Sequence, residues 1–188
     1  MQIRSGDVTL RAFDASLSGA VYAVRNHASV RAHLRDTRPI PRESHDRWIL
    51  ENLVESRLLW LFVVFQGRDP VGISLLRNIR ERSGEIGVMV MEAGQRPLCC
   101  YKAAHLIGYF GFEVIDLERI FSYVPRHNAR ALLFNRRCGF EPTGGVSDIY
   151  HELVLTCEQS RSHPTHRRFR AKYGIELVGE IPGHSGNR

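Results

Sequence analysis

The chain has 188 residues, 43% hydrophobic and 24% charged, the balance of one globular domain with a full core. No apolar run approaches the ~20 residues that span a bilayer. The polar N-terminus MQIRSGDVTLRAFDAS is not a secretory signal, so the cytoplasm is the expected compartment. The net charge of +6 is compatible with an anionic partner. The four cysteines, at 99, 100, 138 and 157, have the spacing of neither a disulfide framework nor a metal site.

In chain order, VTLRAF (8–13) alternates apolar and polar residues and reads as a strand. A helix is expected from about Leu17 to Asn26, with Val21 and Val24 on one side. RNHASVRAHLRDTRPIPRE is rich in arginine, and its Pro39 and Pro41 predict a loop near its end. Ser44 is placed to cap a helix, HDRWILENLV, with Trp48, Ile49 and Leu53 on its apolar face. LLWLFVVF reads as a buried strand, GRDP as a turn, and VGISLLRNIR as its hairpin partner. RERSGE makes another turn and EIGVMV a third strand. The loop GQRPLCC then leads into a helix from about Cys99 to Val114, on which Ala103, Ile107, Phe110 and Val114 recur at helical spacing.

RIFSYV is rich in aromatic and β-branched residues and reads as a strand. NARALLFNRR is a short helix closed by Gly139, and DIYHELVLT is a last strand. After Cys157 there are six Lys/Arg against three Glu, the look of a solvated basic arm, although IELVGEI has strand character. The expected division is a domain over 1–157 and a basic tail over 158–188. The element order gives a mixed α/β domain, an antiparallel meander feeding one crossover unit. If EIGVMV and RIFSYV are parallel neighbours, the GQRPLCC loop lies where a strand ends and a helix begins. Main-chain N–H groups and the helix dipole favour an anion there.

The block DLERIFSYVPRHNARALLFNRRCGFE, with Asn128 and the pair Gly139-Phe140, resembles the GNAT superfamily of acetyl-CoA-dependent N-acyltransferases. The likeness runs from about Val8 to Leu155 and leaves the tail out. It implies a mostly antiparallel central sheet in which EIGVMV and RIFSYV form a parallel, splayed pair flanked by helices. It implies acetyl-CoA as cosubstrate and a primary amine as acceptor, on a small molecule, an amino sugar or a protein N-terminus. The pantetheine arm would pair with main chain at Val88, Met89 and Val90. The family's pyrophosphate signature falls on Gln95 to Cys100. Gln95 matches it, Leu98 stands where glycine is usual, and Cys100 stands where a very small residue is usual. Main-chain amides at Leu98, Cys100 and Tyr101 would face the diphosphate, with attraction added by Arg96 and Lys102. Asn128 would orient the cofactor, cap its helix, or both; Phe134 would touch the cofactor or pack in the core. Gly87 would ease a bulge or permit close packing.

Glu85 opens EIGVMV where several relatives carry a glutamate, and it is the candidate general base. Its other reading is an ion pair with Arg80 or Arg82. Many relatives place a tyrosine acid where this chain has Asn135, which leaves Tyr123, Cys138 or water as substitutes. The arginine-rich stretch would border the acceptor pocket, as in the amino-sugar and ribosomal-protein N-terminal acetyltransferases to which it is similar. Arg31 and Arg35 are its acceptor-binding candidates. No metal and no membrane are expected. Nucleic acid is not the expected partner, because the tail lacks clustered aromatics, and a homodimer is left open. The competing reading is a non-catalytic module of the same fold with a degenerate pyrophosphate loop.

Overall fold

The computed structural model describes residues 1–34, 36–55, 59–92, 98–145 and 147–180. Its first half comprises β1 (Gln2–Ser5), β2 (Val8–Ala12), α1 (Ser18–Asn26), α2 (Ala28–Arg31), α3 (Arg42–Ile49), β3 (Trp60–Gln66), β4 (Asp69–Arg80) and β5 (Ser83–Val90). Then come α4 (Cys99–Tyr109), β6 (Arg119–Pro125), α5 (Ala129–Arg137), β7 (Glu141–Pro142), β8 (Tyr150–Thr156), α6 (Cys157–Ser162), α7 (Pro164–Tyr173) and β9 (Glu176–Val178). The strands form one sheet in the order β7-β8-β6-β5-β4-β3-β2-β1-β9. Every pairing is antiparallel except β5 with β6, for which α4 is the crossover.

The apolar run in β3 is continuous because helices cover both faces of the sheet there. Phe62 and Val64 face the α4 side, where Phe110 meets Trp60 and Phe62 edge-on at 4.9 and 5.0 Å. Leu61 and Val63 face the opposite side, against Val21 and Val24 of α1. Each such side chain contributes about 1.5–3 kcal/mol by leaving water. The result is a stiff sheet centre that holds β5 in place.

Two expectations are corrected, and of the two readings of Gly87 close packing is the one that holds. Helix α3 starts at Arg42 behind Pro41, so Ser44 lies inside the helix and caps nothing. No register shift occurs at Gly87; the β4–β5 ladder is regular there, and a Cβ at Gly87 would press on Leu75 at 3.1 Å. The segment after Cys157 is no loose arm as far as it is described. Thr156 and Gln159 form a reciprocal capping box that starts α6, Phe169 of α7 is buried, and β9 extends the sheet beside β1. Strand β1, not expected from the sequence, forms a tight hairpin with β2 through Gly6 at φ +59°.

Gly72 of β4 permits the closest approach in the sheet around the site. A Cβ there would lie 2.4 Å from the Met89 carbonyl oxygen, an atom of main chain that cannot rotate away. Gly72→Ala should therefore lower the unfolding free energy by about 1–3 kcal/mol. Urea denaturation followed by circular dichroism measures this, and an unchanged midpoint would contradict it.

Candidate active site

Strands β5 and β6 pair through only three residue pairs, Ser83–Arg119, Gly84–Ile120 and Glu85–Phe121. Beyond Glu85 they part. Val88, Met89 and Val90 keep their β4 partners, Ser74, Ile73 and Gly72, but have no β6 partner among the described residues. Their free edge borders a cleft of about 690 Å³. Its other walls are β6 from Ser122 to Pro125, the first turns of α4, helix α5, and the segment from Ser29 to Leu34. An unpaired strand edge inside a cleft offers N–H and C=O groups to an extended ligand, as an open sheet edge does to a peptide.

The second feature is the N-terminus of α4. Leu98 is its N-cap residue and supplies no side-chain hydrogen bond. Leu98 is 46% exposed and is not among the residues that line the cleft. The first-turn amides have no acceptor within the helix itself, the condition under which a helix N-terminus suits an anion. Cys100 and Tyr101 line the cleft at this end. Gln95 and Arg96 lie outside the described residues. Lys102, expected to attract phosphate, points elsewhere: it is buried in an ion pair with Asp7, its Nζ 4.5 Å from the centre of the Tyr173 ring. Two arginines of α5 border the cleft instead. Arg130 and Arg137 line the cleft, and Arg130 is near enough to Cys100 to offset part of that thiol's shift. Sequence-based expectations for this helix weigh Asn128, Phe134 and Asn135 and give its arginines no role.

Asn128 lines the cleft and also caps α5, its Oδ1 accepting from the Ala131 N–H at 3.0 Å. Phe134 lines it too and meets the Tyr101 ring at 4.8 Å, so the two aromatic rings join α5 to α4. Asn135 donates to the Ala131 carbonyl at 2.9 Å, a local bond within α5. The thiols are not activated, because burial outweighs the helix dipole. Burial pushes Cys100 upward, Cys99 up to about 11 and Cys138 up to about 12.

Glu85 sits at the last paired position, at the foot of the cleft rather than in its lining. Its carboxylate is held by Arg77, directly opposite on β4, and by Asn78, whose Nδ2 donates at 2.9 Å. Arg80 and Arg82 are not its partners. Tyr123 is in the cleft wall and stands opposite Glu152 of β8. Burial raises its phenol, and the charges of Glu152 and Glu85 raise it further.

The arginine-rich stretch proves to be a scaffold. Arg31 donates from Nε to the Asn26 carbonyl at 3.0 Å and from a terminal nitrogen to the Thr37 carbonyl at 2.6 Å, and it is not in the cleft lining. Asn26 exchanges two hydrogen bonds with the main chain of Ile40, at 2.7 and 3.2 Å. Arg25 lies over the Trp48 ring at 4.4 Å, and the fully buried His45 meets Ser18 Oγ at 3.1 Å. Arg38 and Arg42 form exposed pairs with Asp36 and Asp46. Arg35 lies outside the described residues. Ser29 accepts from the Glu92 N–H at 3.1 Å, which ties this scaffold to the end of β5.

The family model for an acetyltransferase (GNAT) domain matches residues 7–141. No curated protein matches the chain. Among solved structures, spermidine N-acetyltransferase from Vibrio cholerae in complex with CoA and spermine is 15% identical with a TM-score of 0.73, covering 83% of this chain and 99% of that one. FdhC, a nucleotide-linked sugar GNAT in its apo form, is 15% identical with a TM-score of 0.76, covering 90% and 97%. A dodecameric form of the Vibrio cholerae spermidine enzyme is 18% identical with a TM-score of 0.66, covering 85% and 98%. At these identities the likeness is one of fold.

Leu98→Asp separates the two roles of the α4 N-terminus. A carboxylate at the N-cap should stabilise the free protein by about 0.5–2 kcal/mol. It should also weaken CoA binding at least tenfold, by occupying the same amides and repelling the diphosphate. Calorimetry alongside thermal melting checks this; tighter CoA binding would contradict it.

Proposed function

The chain belongs to the GNAT acetyltransferase family, with acetyl-CoA as its cosubstrate, and from that premise we propose that it acetylates a primary amine at the cleft between β5 and β6. The observation that carries this reading is the parting of the two strands directly after Glu85, beside an uncapped helix N-terminus. The pieces fit the cosubstrate. The free edge at Val88, Met89 and Val90 suits the amide-bearing pantetheine arm. The α4 amides suit the diphosphate, with Arg96 and the α5 arginines Arg130 and Arg137 adding positive charge. Asn128 and Phe134 complete the wall.

The thioester supplies an electrophilic carbonyl and a thiolate leaving group. The chain has to orient the amine, remove its proton and return one. An alkylammonium with a pKa near ~10 is protonated at neutral pH and does not attack. We assign its proton, relayed by water, to Glu85, which Arg77 and Asn78 hold in one position at the foot of the cleft. Tyr123 stays a protonated phenol at neutral pH and is the donor we assign to the thiolate. The acceptor enters beside Ser29–Leu34. The internal bonds of Arg31 weigh against its gripping an anionic acceptor, and they favour recognition by the shape of the 29–34 segment over recognition by that guanidinium.

Turnover is tested with acetyl-CoA and a panel of primary amines that includes polyamines, amino sugars and peptide N-termini. Glu85→Gln should lower kcat at least tenfold and leave the Kd for CoA within twofold of the parent; equal rates across pH would reject Glu85 as the base. Tyr123→Phe should slow turnover with the same preserved affinity. Saturable CoA binding without turnover on any amine would favour the binding-module reading instead.

A further inference from the structure

Between α4 and the C-terminal helix α7 lies a buried histidine pair to which the proposed acetyl transfer assigns no role. His166 of α7 and His105 of α4 stack, their Nδ1 atoms 2.6 Å apart. Both are buried. His166 Nε2 lies 2.8 Å from the carbonyl oxygen of Cys138, the residue that ends α5. That carbonyl only accepts, so His166 carries its proton on Nε2 and its Nδ1 is an acceptor. His105 must then donate from Nδ1, which leaves its Nε2 unprotonated; that atom is buried with no hydrogen-bond partner among the described residues. The chain of bonds therefore has one direction, from His105 through His166 to Cys138.

These contacts join two parts of the cleft from outside. Helix α4 contributes Cys100, Tyr101 and Ala104 to the lining, and Cys138 belongs to it as well. The docking is close: a Cβ at Gly139, which sits at φ +88°, would lie 3.0 Å from the His163 ring. Phe169 meets His105 at 4.9 Å, and Tyr173 lies under Lys102 in the first turn of α4. All of α7 lies beyond the residues matched by the family model.

We propose that His166 is a positioning residue for the acetyl-CoA cleft, a staple that sets the spacing of α4 and α5 by bonding to His105 and to the Cys138 carbonyl. The proposal rests on the reading of this cleft as the cosubstrate site. It also makes the staple sensitive to acid. The groups facing the pair are Arg170 on α7, His163 at the start of α7 and Cys138 at the end of α5; no acid among them would compensate a positive imidazolium. Burial, then His166 and Arg170, press His105 down to about 3, and burial with His163 and Arg170 lowers His166 despite its bond to Cys138. A released α7 would regain the ordinary histidine value near ~6.5. The docked form is the neutral form, so docking is complete above that value and weakens as pH falls from there towards 3.

The test compares His166→Phe, which keeps a ring and loses both bonds, with His166→Gln, whose amide can both donate and accept. With CoA as the calorimetric probe at pH 7.5, His166→Phe should raise Kd at least tenfold and His166→Gln less than threefold. A merely structural role would lower the binding-competent fraction, seen as stoichiometry, and leave Kd unchanged; that result overturns the proposal. A second arm needs no variant. After correction for intrinsic rates, amide exchange over 157–173 in the parent protein should accelerate from pH 7.5 to 5.5 while β3 and β4 stay protected; equal protection at both pH values overturns the proposal. If the parent takes up no CoA, the cosubstrate reading fails with it, and the exchange arm still decides whether the staple opens in acid.

Discussion

The constraint on which the rest depends is the length of one ladder. Three residue pairs bind β5 to β6, and the fourth does not form. A β-sheet interior normally leaves no main-chain group unpaired, because each buried orphan costs about as much as a lost hydrogen bond. Here the orphans line a cleft open to solvent and stay available to a ligand. What keeps the strands apart is their separate anchoring: β5 is held by the regular β4 ladder and the close contact at Gly72, and β6 by its long antiparallel pairing with β8. The gap is thus a product of two rigid halves.

The same division assigns work to the helices. One layer, α1 to α3, is braced by Asn26, Arg31, Arg25 and His45, none of which lines the cleft. Their bonds brace the Ser29–Leu34 segment, which forms one wall of the cleft. The other layer presents the α4 amides and the α5 arginines. Positive charge from Arg130 and Arg137 therefore gathers at the α5 wall of the cleft, whereas Tyr123 in the β6 wall feels the charges of Glu152 and Glu85. Polar residues in the first layer shape the cleft without entering it, which is why substitution of such braces would disturb this wall without removing a lining residue.

Much of this was legible in the sequence where the signal was local. Asn128 before ARALLF and Gly139 after NRRC mark the limits of α5 by capping chemistry, and the crossover from EIGVMV to RIFSYV follows from strand and helix patterning. Roles set by distant partners were not legible. Lys102 answers to Asp7, 95 residues away, and Arg31 to the carbonyl of Thr37. Glu85 meets Arg77 because the β4–β5 register places them opposite each other, while a register shift between Arg77 and Arg80 removes the nearer arginines. Helix α7 escaped detection because its buried face is His166 and Phe169, one of them polar, in a segment that otherwise reads as a basic arm.

The most direct measurement is a crystal structure of the protein with acetyl-CoA. The account predicts pantetheine density along the free edge of Val88 to Val90 and diphosphate density against the first-turn amides of α4. A cosubstrate bound elsewhere, or a closed gap in which β5 and β6 continue to pair past Glu85, would contradict it.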